Sequence, residues 1–339
     1  MRALRFLLAI FIGSTLASAQ EPVGQITINV RKVSVNVNVV DVNGRPVTRL
    51  VKEDFTISED GVPQEIQNFD NDEVGYNVLL LVDCSGSTEA DRPLMGKAVD
   101  RFAAELRTQD TISVALFGSG VETILDWQRR APASVGLQFR SNSPSCAGTN
   151  FYGALEAAIG KFKAIDGRKG VVVLTDGAQT PIAMENKVIA GHSVERVKNS
   201  ADDREFQKTL SLVSRSDVIF YFLAVNTDLN PDPAGGRSRF STNGIFNPDL
   251  IYNMQQIRSR MQQLAEATGG RVAFPSEPSD VAKLYEDIAR ELGTNYTLWY
   301  APRSSDQQNE TKPRDITVSV KTPGVKLKRD HFTYIPSAP

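Results

Sequence analysis

Apolar residues recur with two different periods along the chain, and the change of period divides it. From Ile26 to Phe69 the period is two: Ile26, Ile28 and Val30 alternate, the phase slips at Arg31-Lys32, and Val33, Val35, Val37 and Val39 resume with Ser34, Asn36 and Asn38 opposite. Alternation of this kind marks half-buried strands, and a slip of one residue marks two strands or one bulged strand. Asn43-Gly44-Arg45-Pro46 reads as a turn, Phe55 to Ser58 as a short strand, and Glu59-Asp60-Gly61 as a second turn before Ile66 to Phe69.

From about residue 75 to 293, continuous apolar runs alternate with amphipathic stretches. Strands are predicted over Asn77 to Asp83, Thr111 to Phe117, Val121 to Trp127, Gly170 to Thr175, Asp217 to Val225 and Arg271 to Phe274. Helices are predicted over Arg92 to Arg107, Thr149 to Ala164, Asp203 to Ser214, Tyr252 to Thr268 and Pro278 to Leu292, with Gly269-Gly270 stopping the fourth. Apolar strands alternating with helices predict an α/β fold, a doubly wound and mostly parallel sheet covered on both faces in the Rossmann-like manner. The short link Ser119-Gly120 makes Val121 to Trp127 an antiparallel edge strand. After Gly293 the strand pattern returns at Tyr296 to Tyr300, Ile316 to Val320, Val325 to Lys328 and Phe332 to Ile335. Neither flanking piece can bury much apolar area alone. The expected organisation is therefore an α/β domain over residues 75–293, inserted in one small discontinuous β-sandwich built from residues 20–74 and 294–339.

The chemistry concentrates where apolar strands stop. Val78 to Val82 ends in Asp83-Cys84-Ser85-Gly86-Ser87, three oxygen-bearing side chains at alternate positions. They converge only if the backbone curls tightly after the strand, which Gly86 permits. Such ligands are all oxygen, and they suit Mg²⁺, Mn²⁺ or Ca²⁺ rather than zinc or copper. Two more segments complete the set: Gly148-Thr149 before Ala154-Leu155, at the apparent start of a helix, and Leu174-Thr175-Asp176-Gly177 at the end of a second apolar strand.

D-x-S-x-S, then G-T-x-x-x-x-A-L, then L-T-D-G resembles the von Willebrand factor type A family and its metal-ion-dependent adhesion site. That resemblance implies that Ser85, Ser87 and Thr149 touch the metal, with Asp83 and Asp176 holding it directly or through water. It implies Mg²⁺ as the cation, with Mn²⁺ or Ca²⁺ as alternatives, and a protein partner that offers an Asp or Glu carboxylate. The front segment "DVNGRPVTRLVKEDFTISEDGVPQEIQNF" and the tail from "YTLWYAP" to "RDHFTYIP" also resemble the secreted VWFA-related acidobacterial subgroup. The aromatic pair near the end departs from that pattern in standing at Phe332 and Tyr334.

The first residues read as a secretory signal peptide over 1–19. Arg2 and Arg5 precede an apolar run from Phe6 to Leu16, and Ala17-Ser18-Ala19 forms a small-residue cleavage site. The run is too short for a membrane span, so the expected location is secreted or periplasmic with no transmembrane segment in the mature chain. The formal net charge is −2, and removing 1–19 takes away two arginines and no acid. That balance gives no electrostatic footprint for nucleic acid or anionic lipid.

There are two cysteines, Cys84 inside the first motif and Cys146 just before Thr149. The family resemblance brings their loops together, and an exported location permits a disulfide. Two free buried thiols remain the alternative, because Cα atoms more than about 7 Å apart cannot be bridged without backbone movement.

Two irregular stretches, Ala178 to Ser200 and Asn226 to Pro248, leave the carboxyl ends of strands, where open α/β sheets bind ligands. Both are expected to rim the metal. The expected function is metal-dependent adhesion or protein binding rather than catalysis. A metal-dependent hydrolase or phosphotransferase using a strand-end aspartate is the main alternative, but Ser85 stands where an aspartyl phosphotransferase would carry a second Asp. A serine hydrolase would have only His192 and His331 as bases, and no G-x-S-x-G occurs. The spacing of Trp127, Tyr296, Trp299 and Tyr300 favours packing on sheet faces over sugar stacking.

Overall fold

The computed structural model describes residues 33–71, 74–129, 132, 134–137, 139, 144–189, 191–225, 227, 241–242, 245–246, 248–275, 280–303 and 314–334. The signal peptide, the strand over Ile26 to Val30, most of the stretch from Asn226 to Pro248, and Ile335 lie outside them.

Five short strands open the described chain: β1 (Val33–Val37), β2 (Val39–Asp41), β3 (Phe55–Glu59), β4 (Val62–Gln64) and β5 (Ile66–Asp70). The run predicted through Val39 is broken at Asn38, whose buried amide turns aside to donate to Glu291.

The α/β body follows. Its strands are β6 (Tyr76–Asp83), β7 (Thr111–Phe117), β8 (Val121–Arg129) and β9 (Arg168–Thr175), then, after the hairpin β10 (Met184–Ile189) and β11 (His192–Val197), β12 (Val218–Ala224). A two-residue pair, β13 (Ser241–Thr242) and β14 (Ile245–Phe246), precedes β15 (Val272–Ala273). The central sheet has the order β15-β12-β9-β6-β7-β8. All its pairings are parallel except β7 with β8, as the short Ser119-Gly120 link requires.

Helices α1 (Arg92–Glu105), α2 (Phe151–Gly160), α3 (Arg204–Ser214), α4 (Pro248–Ala267) and α5 (Asp280–Thr294) cover the two faces. Successive side chains of a strand point to opposite faces. Thus Val78, Leu80 and Val82 pack with Phe102 of α1 and Tyr285 of α5, while Leu79 and Leu81 pack with Leu155 of α2, Phe206 of α3 and Leu264 of α4. This two-sided burial is why β6 reads as an unbroken apolar run rather than an alternating one.

The stretch predicted as irregular from Ala178 to Ser200 contains the antiparallel hairpin β10–β11. Its residues are largely polar, and Val188 is 77% exposed, so burial imposes no hydrophobic period on them. Helix α2 begins two residues later than predicted and is capped by Asn150, whose side chain accepts from the Gly153 amide.

The tail supplies β16 (Tyr296–Tyr300), β17 (Arg314–Val320), β18 (Val325–Leu327) and β19 (His331–Tyr334). Each pairs with the front of the chain or with a strand that does: β16 lies between β1 and β5, β17 between β3 and β19, and β18 beside β2. Val35, Phe55, Ile57, Tyr296, Leu298 and Ile316 share one buried core across these sheets.

Two links join these sheets to the α/β body, from β5 to β6 and from α5 to β16, and Arg168 at the start of β9 ties both. Its guanidinium donates to Asn71 O at 2.7 Å and Val74 O at 2.9 Å on the first link. On the second it donates to Leu292 O at 3.2 Å and to Asn295 O. The side chain is 1% exposed and lies 4.0 Å from the centre of the Tyr76 ring. The carbonyl of Leu292 belongs to the last turn of α5, where helix geometry leaves acceptors unfilled and the dipole favours a cation.

Candidate metal centre

The candidate site lies at the carboxyl ends of β6 and β9, neighbours in the parallel sheet. Asp83 is the last residue of β6 and is fully buried. Its Oδ1 accepts from the Ser85 amide at 2.8 Å, and its Oδ2 accepts from the Thr175 hydroxyl at 2.7 Å. The first of these bonds bends the chain back on itself as it leaves the strand, in the manner of an Asx turn. It brings Ser85 and Ser87 onto one side, their hydroxyl oxygens 3.1 Å apart. Ser85 is buried and Ser87 exposed, so the cluster runs from the sheet end out to solvent.

Beneath the serines the loop is fixed from three sides. The Thr88 hydroxyl donates to Asp83 O and Ser85 O, the Arg92 guanidinium donates to Cys84 O, and the Cys84 amide donates to Phe117 O.

Asp176 follows β9 directly and is 9% exposed. Its Oδ1 accepts from the Ala178 amide at 3.0 Å. Gly177 turns the chain with φ +74°, and a Cβ there would stand 2.7 Å from Ile257 Cγ2. Only glycine meets both conditions without strain.

Thr149 arrives from a third segment and is 5% exposed. Its carbonyl accepts from Thr180 at 2.7 Å, which ties it to the loop carrying Asp176, and the next amide, Asn150, donates to Gly118 O at 2.6 Å. Gly118, just after β7, runs so close to this segment that a Cβ on it would lie 2.3 Å from Ser145 O. A disulfide between Cys84 and Cys146, with Cα atoms 5.1 Å apart, joins the Ser85/Ser87 loop to the same segment. All five residues picked out by the motifs therefore sit on loops bound to one another. His192 and His331 stand elsewhere, on β11 and β19.

Thr175 is a residue the sequence reading passed over. Its hydroxyl donates to Asp83 and accepts from the Gly177 amide at 3.0 Å, so it couples the two carboxylate loops while fully buried. Its place in L-T-D-G, at the end of a β-branched run, makes it look like one more strand residue.

Burial raises the Asp83 carboxyl to about 6, the negative charge of Asp176 adds to the rise, and the hydrogen bonds from Ser85 and Thr175 oppose it. Among the described residues neither aspartate forms an ion pair with Lys, Arg or His. Buried carboxylates normally have such a partner or coordinate a metal. Two carboxylates and three hydroxyls form a hard, oxygen-only donor set, and this fits a Mg²⁺-class cation by donor type and charge.

Among the described residues no helix is long and apolar enough to cross a membrane. No curated protein matches the chain. Among solved structures, the chain is similar to an aerotolerance-related membrane protein from Bacteroides fragilis, with 18% identity, 64% of this chain and 98% of that one covered, and a TM-score of 0.43. It is similar to a von Willebrand factor type A protein from Catenulispora acidiphila, with 12% identity, 83% and 74% covered, and a TM-score of 0.42. It is also similar to the pilus adhesin SpaC from Lactobacillus rhamnosus GG in its open conformation, with 12% identity, 87% and 52% covered, and a TM-score of 0.44. Residues 78–179, the segment that holds all five candidate ligands and both cysteines, match the family model of the von Willebrand factor type A domain.

Proposed function

We propose that Asp83, Ser85, Ser87, Thr149 and Asp176 hold a divalent cation, Mg²⁺ in the first instance, through which the protein binds an Asp or Glu carboxylate of a protein partner. The observation that carries this reading is the pair of buried aspartates at adjacent strand ends, with no cationic side chain among the described residues paired to either and three hydroxyl-bearing residues on the loops around them. The aspartates supply charge from below, and Ser85, Ser87 and Thr149 supply neutral oxygens. A cation held largely by neutral hydroxyls keeps enough Lewis acidity to favour an incoming carboxylate. Ser87 is exposed and Ser85 is not, which puts the open side of the site toward solvent.

The activity is binding rather than turnover. We read the chain as exported, because the Cys84–Cys146 disulfide belongs to an oxidising compartment.

Thermal melting with and without Mg²⁺ or Mn²⁺ tests the site. A cation that binds only the folded state stabilises it by about 2.7 kcal/mol at a hundredfold excess over Kd. An upward shift of the melting temperature in wild type, reversed by EDTA and absent in Asp83→Asn and Asp176→Asn, is the expected result. Equal shifts in wild type and both variants would remove the site.

A further inference from the structure

Beside Thr149 the surface opens into a groove of about 560 Å³ between α2 and α3, roofed by the chain that leaves the metal site. Asn150 and Gln179 mark its end nearest the site, and Tyr152, Pro181, Ile182 and Leu212 supply apolar wall. Gln179 is anchored there, its Oε1 accepting from the Tyr152 amide at 3.1 Å.

The charges on the wall are Glu156 of α2 and Asp203, Glu205 and Lys208 at and along α3. Asp203 is already neutralised, buried against Arg260 at 2.8 Å. Glu156 and Glu205 are exposed and, among the described residues, form no ion pair; Lys208 is exposed and unpaired in the same sense. The groove therefore offers two carboxylates against one ammonium, above an apolar wall that suits the methylene stem of a lysine or arginine.

We propose that this groove is a second binding element for the same partner and takes a basic side chain of the segment whose carboxylate meets the metal. The proposal rests on the metal-site reading and adds a specificity to it. Spacing follows from the fold. Glu156 lies five residues beyond Phe151, about 7.5 Å at helical rise, and Thr149 stands two non-helical residues before Phe151, at most ~6 Å more. An extended peptide covers that in about three or four residues at ~3.3 Å each. The preferred partner is an extended segment with Asp or Glu and, three or four residues away, Arg or Lys.

A phage-displayed library of random linear peptides, panned on the intact protein in Mg²⁺ and eluted with EDTA, tests this directly. The expected clones carry an acid with a base three or four residues to one side, enriched about fivefold over the library, as a single exposed ion pair allows. Glu156→Gln/Glu205→Gln, which alters only exposed side chains, should keep the acid requirement and lose the basic preference. Clones with the acid and no basic bias, a bias unchanged in the double variant, or a second acid drawn to Lys208 would each overturn the groove assignment and leave the metal reading standing. Failure to recover any EDTA-eluted clone, together with no Mg²⁺ shift in melting, would sink both.

Discussion

The Thr175 hydroxyl donates to Asp83 Oδ2 at 2.7 Å, joining the ends of β6 and β9 beneath the candidate metal site. Because the same hydroxyl accepts from the Gly177 amide, one buried group sets the position of the carboxylate and the turn that presents Asp176. Thr175→Val keeps the shape and removes both interactions, leaving a buried carboxylate oxygen and a buried amide without partners. Such losses cost about 1–3 kcal/mol each. Urea unfolding should show that destabilisation, and the Mg²⁺-induced rise in melting temperature should shrink. Thr175→Ser should restore most of both. A valine variant with wild-type stability and an unchanged Mg²⁺ response would show that the hydrogen bond positions nothing.

The disulfide makes a separate prediction. Cys84 and Cys146 are 62 residues apart in sequence, and closing a loop of that order stabilises by about 2–4 kcal/mol, largely through the unfolded chain. Cys84→Ser/Cys146→Ser should lose stability in that range. It should also bind Mg²⁺ more weakly, because the segment carrying Thr149 loses its covalent tie to the serine loop and keeps hydrogen bonds such as those with Gly118 and Thr180. Intact mass after alkylation in denaturant without reductant gives the pairing independently, since two added alkyl groups would rule the bridge out.

Gly177 gives the third. Its φ of +74° and the contact a Cβ would make with Ile257 and Met261 act together. Gly177→Ala should therefore destabilise by about 1–3 kcal/mol and displace Asp176. A melting curve that overlays wild type would mean that the loop relaxes freely and that the close packing there is not required.

What could be read from the sequence follows what burial imposes on it. β6 and β9 were legible because both faces are covered and their central residues, Val78 to Val82 and Val171 to Leu174, are all apolar, and the motif residues were legible because polar oxygens after such strands are conspicuous. The β10–β11 hairpin was not, since no core face constrains its polar residues. Asn150 rather than Thr149 caps α2, and either residue type suits that position, so the boundary was ambiguous by two residues. Thr175 was hidden because a β-branched residue at a strand end looks ordinary, although its hydroxyl is what matters. Arg168 was hidden for a different reason. A basic residue before Val171 to Leu174 looks like a solvated strand start, and only the fold shows four carbonyls turned toward it.

Arg168 carries the last prediction. It is a buried cation whose guanidinium donates to four backbone carbonyls, those of Asn71 and Val74 between β5 and β6, Leu292 in the last turn of α5 and Asn295 just before β16. We propose that the flanking strands β1 to β5 and β16 to β19 form one β unit and that Arg168 fixes it to the body. Arg168→Met preserves much of the apolar stem but leaves those carbonyls without a donor, a loss on the order of 3 kcal/mol or more. Arg168→Lys keeps the charge, yet a single ammonium cannot span both links as the planar guanidinium does, so it should recover only part of the stability. Limited proteolysis separates local from global effects. Cleavage should appear first near residues 71–75 and 293–296 in both variants, with the α/β body surviving as a protected fragment. Cleavage spread evenly over the chain, or a methionine variant as resistant as wild type, would show that Arg168 is not the joint.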